Sequence, residues 1–198
     1  MSSRTLVLDI GQERPQLLVD IEAALTDVNR TVGTAFTSAG IEQTDNSRYT
    51  QWVDCSTDAE SWLRLADDAK VPALYLELVV PSALLRDKLS DALATRLKVL
   101  TCGQLKRSTR EATEFKPGPV AWLGLACQGP YDSEVAETIE KALASRDPAI
   151  RNNALLATLL LEWKPLLPAI ESAARTETVT ELKKRFDYIA GMLRGLSS

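Results

Sequence analysis

Residues 145–174 read "SRDPAIRNNALLATLLLEWKPLLPAIESAA": an acid, a proline and an arginine, followed by a run that is almost wholly apolar. Asp147 is suited to cap a helix with its carboxylate, and Pro148 suits the first helical position, where its missing N–H would have had no partner. Arg151 lies close enough in sequence for a charge-assisted bond back to that acid. Upstream, Val135, Ile139, Ala142 and Leu143 form one apolar stripe. Downstream, Ile150, Ala154, Ala157 and Leu161 alternate bulk with small residues that let another helix approach closely. A turn this short forces the two helices together, and Asp147, Pro148 and Arg151 are its structural residues.

Working outward toward the C-terminus, no strand signal occurs after Ser133. Thr178 and Glu181 have capping-box spacing, and the last helix aligns Val179, Leu182, Phe186, Ile189 and Leu193 at steps of three and four. That stripe reads either as core or as a candidate partner-binding face. The pair "DPAIRNNA" and "WKPLLPAIESAA" resembles HEAT-like helical repeats over residues 132–175, with Asp147, Pro148, Ile150, Arg151 and Ala154 matching the first helix and Leu166, Ile170 and Ala173 the inward positions of the second. Trp163-Lys164-Pro165 stands where that pattern has a small turn, and no further copy is visible although a solenoid needs about three. The resemblance implies a concave protein-binding surface, and a single copy implies helices packed on the remainder of the chain or on a partner.

Working toward the N-terminus, "TLVLDI" (5–10) reads as a strand, Gly11 and Pro15 as a turn, and Leu17, Leu18, Ile21, Leu25 and Val28 as a helix face. "TVGTAFTSAGI" (31–41) and "RYTQWVDC" (48–55) read as an antiparallel hairpin across "EQTDNS". Thr57 and Glu60 have capping-box spacing, which predicts a helix with Trp62, Leu65, Ala66 and Ala69 on one face. "VPALYLELVV" (71–80) is the strongest strand signal, Leu85, Leu89, Ala92 and Leu93 mark another helix, "RLKVLTC" a strand, 103–119 a polar connection and "PVAWLGLAC" (119–127) a last buried strand. The order β-α-β-β-α-β over 5–80 matches a ferredoxin-like split βαβ. The expected architecture is an α/β domain with a mixed sheet over 1–128, and a helical, HEAT-like domain over 129–198 packed against it.

The chain of 198 residues is 45% apolar and 25% charged, the composition of a globular protein with a real core. No apolar run nears the roughly 20 residues of a membrane span, and Asp9 interrupts the first apolar run before a secretory segment would be complete; the expected location is the cytoplasm. Cys55, Cys102 and Cys127, an odd number without CxxC, read as free buried thiols. Residues 1–80 carry 6 basic and 13 acidic side chains, 81–116 carry 8 and 4, and 117–198 carry 9 and 10. The acidic first segment disfavours nucleic acid as partner and suits a basic protein. The basic residues of 86–116, "KRSTREATEFK" among them, read as a solvated face.

The chain has no histidine, which removes Ser-His and Cys-His catalysis and imidazole metal sites from its own repertoire. GxSxG, SxxK, Walker A, GxGxxG and EF-hand patterns are also missing. Asp9-Ile10-Gly11 resembles the phosphate loop of actin-like kinases, but Gln12-Glu13-Arg14-Pro15 follow where small hydroxyl residues belong, and the chain is too short for that fold's paired domains. Asp54, Asp58, Glu60, Asp67 and Asp68 read as caps and helix-dipole partners, and Trp52, Trp62, Trp122 and Trp163 as core. No catalytic residue, metal ligand or cofactor is expected. The expected function is a non-catalytic protein-binding module, an adaptor or inhibitor with an immunity-type protein as one concrete form. The alternative is a metal-dependent carboxylate enzyme, or an enzyme subunit completed by a partner chain.

Overall fold

The computed structural model describes residues 2–9, 14–45, 47–68, 73–112 and 114–196. The chain forms two compact units, Met1–Thr101 and Cys102–Ser198, where the sequence placed the division after residue 128. An α/β front is followed by a helical C-terminal part.

The front unit runs β1 (Ser2–Leu8), α1 (Arg14–Val32), β2 (Phe36–Gln43), β3 (Ser47–Asp54), β4 (Trp62–Asp68), β5 (Ala73–Val80), α2 (Ala83–Arg96) and β6 (Val99–Leu100). The sheet order is β2-β3-β4-β5-β1-β6, and the five neighbouring pairs are antiparallel. The strong strand signal of "VPALYLELVV" is β5, an interior strand, although Val71 and Pro72 lie outside the described residues, as does the Gly11 turn. α1 buries Leu17, Ile21, Leu25 and Val28 in one core with Leu8, Trp52, Leu63, Leu65, Leu76, Leu78, Leu89 and Leu93. The Trp52 indole N–H donates to Glu22 at 2.6 Å, so the ring is buried with its polar edge satisfied.

In the front unit, one element differs in kind from the sequence reading. The helix expected after Thr57 is β4, so the order is β-α-β-β-β-β-α-β and the split βαβ topology does not form. The Thr57 hydroxyl donates to the Ala59 carbonyl at 3.3 Å instead of accepting from a helix N–H. A capping box contributes on the order of 1 kcal/mol. Leu63 and Leu65, two apart on a strand and each without exposed area, gain more by filling the core between β3 and β5, at about 1.5–3 kcal/mol per side chain.

The rear unit contains α3 (Cys102–Glu111), α4 (Pro117–Ala126), α5 (Ser133–Leu143), α6 (Pro148–Leu161), a 3-10 turn at Lys164–Leu166, α7 (Leu167–Thr176) and α8 (Thr180–Gly195). The expected last strand, 119–127, is therefore a helix, and part of the expected polar connection is α3. A short apolar run lacks the periodicity that separates strand from buried helix, and α4 buries Val120, Ala121, Leu123, Gly124 and Leu125 around its circumference. Gly124 permits close approach to α6, since a Cβ there would stand 2.5 Å from the Ala157 Cα. Cys102 and Cys127 are joined in a disulfide with their Cα atoms 5.2 Å apart, tying the start of α3 to the end of α4. Only Cys55 is a free thiol, and it is exposed rather than buried. No helix among the described residues is long and apolar enough to cross a membrane.

Candidate functional site

The turn at 145–148 is built as its residues suggest, with one exchange of partner. Asp147 Oδ1 accepts from the Ala149 N–H at 2.8 Å, Pro148 opens α6, and the Ser145 hydroxyl accepts from the Asp147 N–H at 3.2 Å. Arg151, expected to bond Asp147, instead holds Glu177 in a two-pronged pair, Nε to Oε2 at 2.7 Å and Nη2 to Oε1 at 2.8 Å. Its Nη1 donates to the carbonyls of Ser145 and Arg146 at 2.9 and 3.0 Å. Glu177 Oε1 also accepts from the N–H groups of Thr178 and Val179, both at 2.9 Å. The pair therefore fastens the turn before α6 to the turn before α8.

The Glu177 side chain has no exposed area and that of Arg151 is 14% exposed. The Arg151 bond holds the Glu177 carboxyl below the usual glutamate range against the opposing effect of burial. Reciprocally, Glu177 raises the guanidinium of Arg151, with Asp147 contributing through its charge alone. The capping box expected from Thr178 and Glu181 does not form: α8 has no side-chain cap bond, Glu177 already accepts from the free N–H groups, and Glu181 pairs with Lys184 at 2.7 Å. Nothing in the local spacing marks Glu177, because its partner is 26 residues away.

A cavity of about 450 Å³ lies between these turns, lined by Leu143, Ser145, Arg146, Ser172, Thr176 and the ion pair among others. Of the candidate partner-binding stripe, Leu182, Phe186, Ile189 and Leu193 are buried and Val179 is exposed. Four of the five therefore lie out of a partner's reach. Among the described residues of this unit, the exposed large hydrophobic side chains are Val179, Tyr131 and Tyr188, and Tyr131 meets Trp163 edge-on at 5.3 Å. In the basic stretch, Lys106 is paired with Asp132 and Glu134, and Asp132 also caps α5.

The weighed carboxylates of the front unit do not converge. Asp54 is 4% exposed; burial raises its pKa, but bonds from the Ser56 hydroxyl and the Ala35 and Ser56 N–H groups outweigh this and hold it low. Asp67 pairs with Arg14, Asp58 and Glu60 are exposed, and the Asp68 side chain lies outside the described residues. Among the described residues no three acids or cysteines are grouped as for a metal ion.

The sheet ends on one side in β2, of whose eight residues all but Phe36 are exposed. A bulge interrupts its register between Ser38 and Gly40, and Gly40 has φ +112°, a backbone that favours glycine. Residues 36–60 carry five acids, Glu42, Asp45, Asp54, Asp58 and Glu60, against one cation, Arg48. Comparison with known protein families, characterised proteins and solved structures gives no match.

Proposed function

We propose that this chain is a non-catalytic protein-binding module, an adaptor or inhibitor whose partner is a basic protein. An immunity-type protein that covers the active surface of a toxin is its most concrete form. The observation that carries the proposal is the exposed β2 edge with acids around it: long-range attraction steers a cationic partner to such a surface and raises its rate of association. The HEAT-like resemblance of residues 132–175 supports the same class. The buried ion pair does not by itself argue for chemistry, because four guanidinium N–H bonds and both carboxylate oxygens are used within the fold.

The test is capture of the full chain with its bound proteins from the native cell, followed by titration of the candidate with purified chain. A basic partner bound in fixed stoichiometry, with affinity falling steeply as salt rises, is the expected result. If no such protein binds and magnesium, manganese or calcium instead raises the melting temperature, the carboxylate-enzyme reading replaces this one.

A further inference from the structure

We propose that the β2 edge from Ser38 to Gln43 accepts an extended, lysine- or arginine-bearing segment of a partner protein as a further antiparallel strand of the sheet. This rests on the protein-binding reading and specifies its surface.

The ladder shows which backbone groups point away from β3. The Asp54 N–H donates to the Ser61 carbonyl on the β4 side at 3.0 Å, so its neighbour in register, Phe36, turns its own N–H and C=O away from β3. At the other end, the Thr44 N–H donates to the Ser47 carbonyl at 2.8 Å, so Ser47 faces the β2 side. Alternation along β3 then makes Phe36, Ser38, Ile41 and Gln43 the β2 residues whose backbone points outward. Asn29 already serves the first of them, accepting from the Phe36 N–H at 2.9 Å and donating to its carbonyl at 3.0 Å. An amide side chain thus imitates a pairing strand for one rung and stops. An incoming strand finds its places at Ser38, Ile41 and Gln43.

Charge and side chains select the occupant. Exposed Glu42 and Asp45 lie at the Gln43 end of the edge, where exposed Arg48 stands opposite Gln43, and exposed Asp58 and Glu60 lie in the β3–β4 loop at the Phe36 end, so the acids outnumber the cation four to one. Ile41, 57% exposed, offers an apolar cross-strand contact. A second copy is the weaker occupant, because two β2 edges side by side would bring the same acids together. A basic segment with alternating apolar residues meets both features, in the manner of strand addition.

The experiment uses the full chain, isotope-labelled, with a blocked eight-residue peptide of alternating lysine and valine, read by amide exchange. The Ser38, Ile41 and Gln43 amides should lose their fast exchange while the Phe36 amide stays as it was. A glutamate-for-lysine peptide and one N-methylated at alternate residues should leave all of them fast. Gln43→Pro, which removes an outward N–H at an edge position that tolerates proline, should weaken peptide binding without lowering the melting temperature. Equal protection by the acidic peptide, no protection at the highest soluble peptide concentration, or protection that appears in the free chain as its own concentration rises would overturn the proposal. If a natural partner binds but leaves these three amides fast, strand addition fails and the protein-binding role stands; if no partner binds at all, the role itself fails.

Discussion

The turn at Ser145–Pro148 and the edge at Phe36–Gln43 both present backbone groups that regular structure leaves over, and they dispose of them in opposite ways. At the turn, Arg151 takes the Ser145 and Arg146 carbonyls and Glu177 takes two N–H groups at the start of the next helix. The Arg151 and Glu177 side chains that complete these groups are shielded from solvent, and the result is closure. At the edge, Asn29 serves Phe36 alone of the outward rungs, and among the described residues the following rungs have no backbone partner beyond β2. A region closed on itself should respond to mutation in stability, whereas a region left open should respond in binding.

The largest effect should come from Arg151→Met, which leaves a wholly shielded Glu177 carboxylate without its partner. Losing one member of a buried pair costs about 3–5 kcal/mol, measured as a shift in the denaturation midpoint. Arg151→Met combined with Glu177→Leu should cost less than the single change, because no buried charge is then stranded. Equal losses would mean that the pair contributes through shape and not charge.

Acid should act on the same pair. Its pKa being lowered in the folded state, Glu177 contributes stability that is fully present above its unfolded value, about 4.3, and is lost as pH falls through the lower folded value. The difference in stability between the wild type and the double variant should therefore shrink on acidification across that window, and a constant difference would contradict the pairing. Reducing Cys102–Cys127 should cost about 3 kcal/mol, given a sequence separation of 25 and the chain entropy such a loop restores to the unfolded state. Parallel denaturation curves with and without reductant measure it.

The same contrast explains what the sequence disclosed. Asp147 and Pro148 were legible because a cap acts within three residues, and α1, the β2–β3 hairpin and β5 because periodicity and turn composition are local. Arg151 was recognisable as a binding group, but its partner was not, since Glu177 comes near only when α7 packs back beside α5. β4 was hidden because a valid capping pattern at Thr57–Glu60 competed with burial of Leu63 and Leu65, and burial won. α4 was hidden because a helix apolar on every side has no stripe. That error concealed the disulfide in turn, since two cysteines are brought together only by an α3–α4 hairpin. The open rungs of β2 depend on register and on Asn29, which composition does not reveal.

A smaller effect is expected at the cap. Asp147→Ala removes one acceptor from the start of α6, and the loss should be about 1 kcal/mol. Asp147→Asn should recover most of it, since the amide oxygen can accept the same Ala149 N–H. A loss as large as that of Arg151→Met would show that Asp147 acts mainly on the ion pair.

The smallest effect on stability should be at the edge. Glu42→Lys changes an exposed side chain that makes no ion pair among the described residues, and surface substitutions of this kind stay within about 0.5 kcal/mol. Its effect should fall on association: reversing one charge beside the open rungs slows the encounter with a basic segment, and the difference from wild type should fade as salt screens it. Rate measurements at low and high salt, set beside an unchanged melting temperature, separate the two roles. An unfolding shift comparable to that of Asp147→Ala would mean that β2 is a closed part of the fold like the turn, and the contrast between the two regions would collapse.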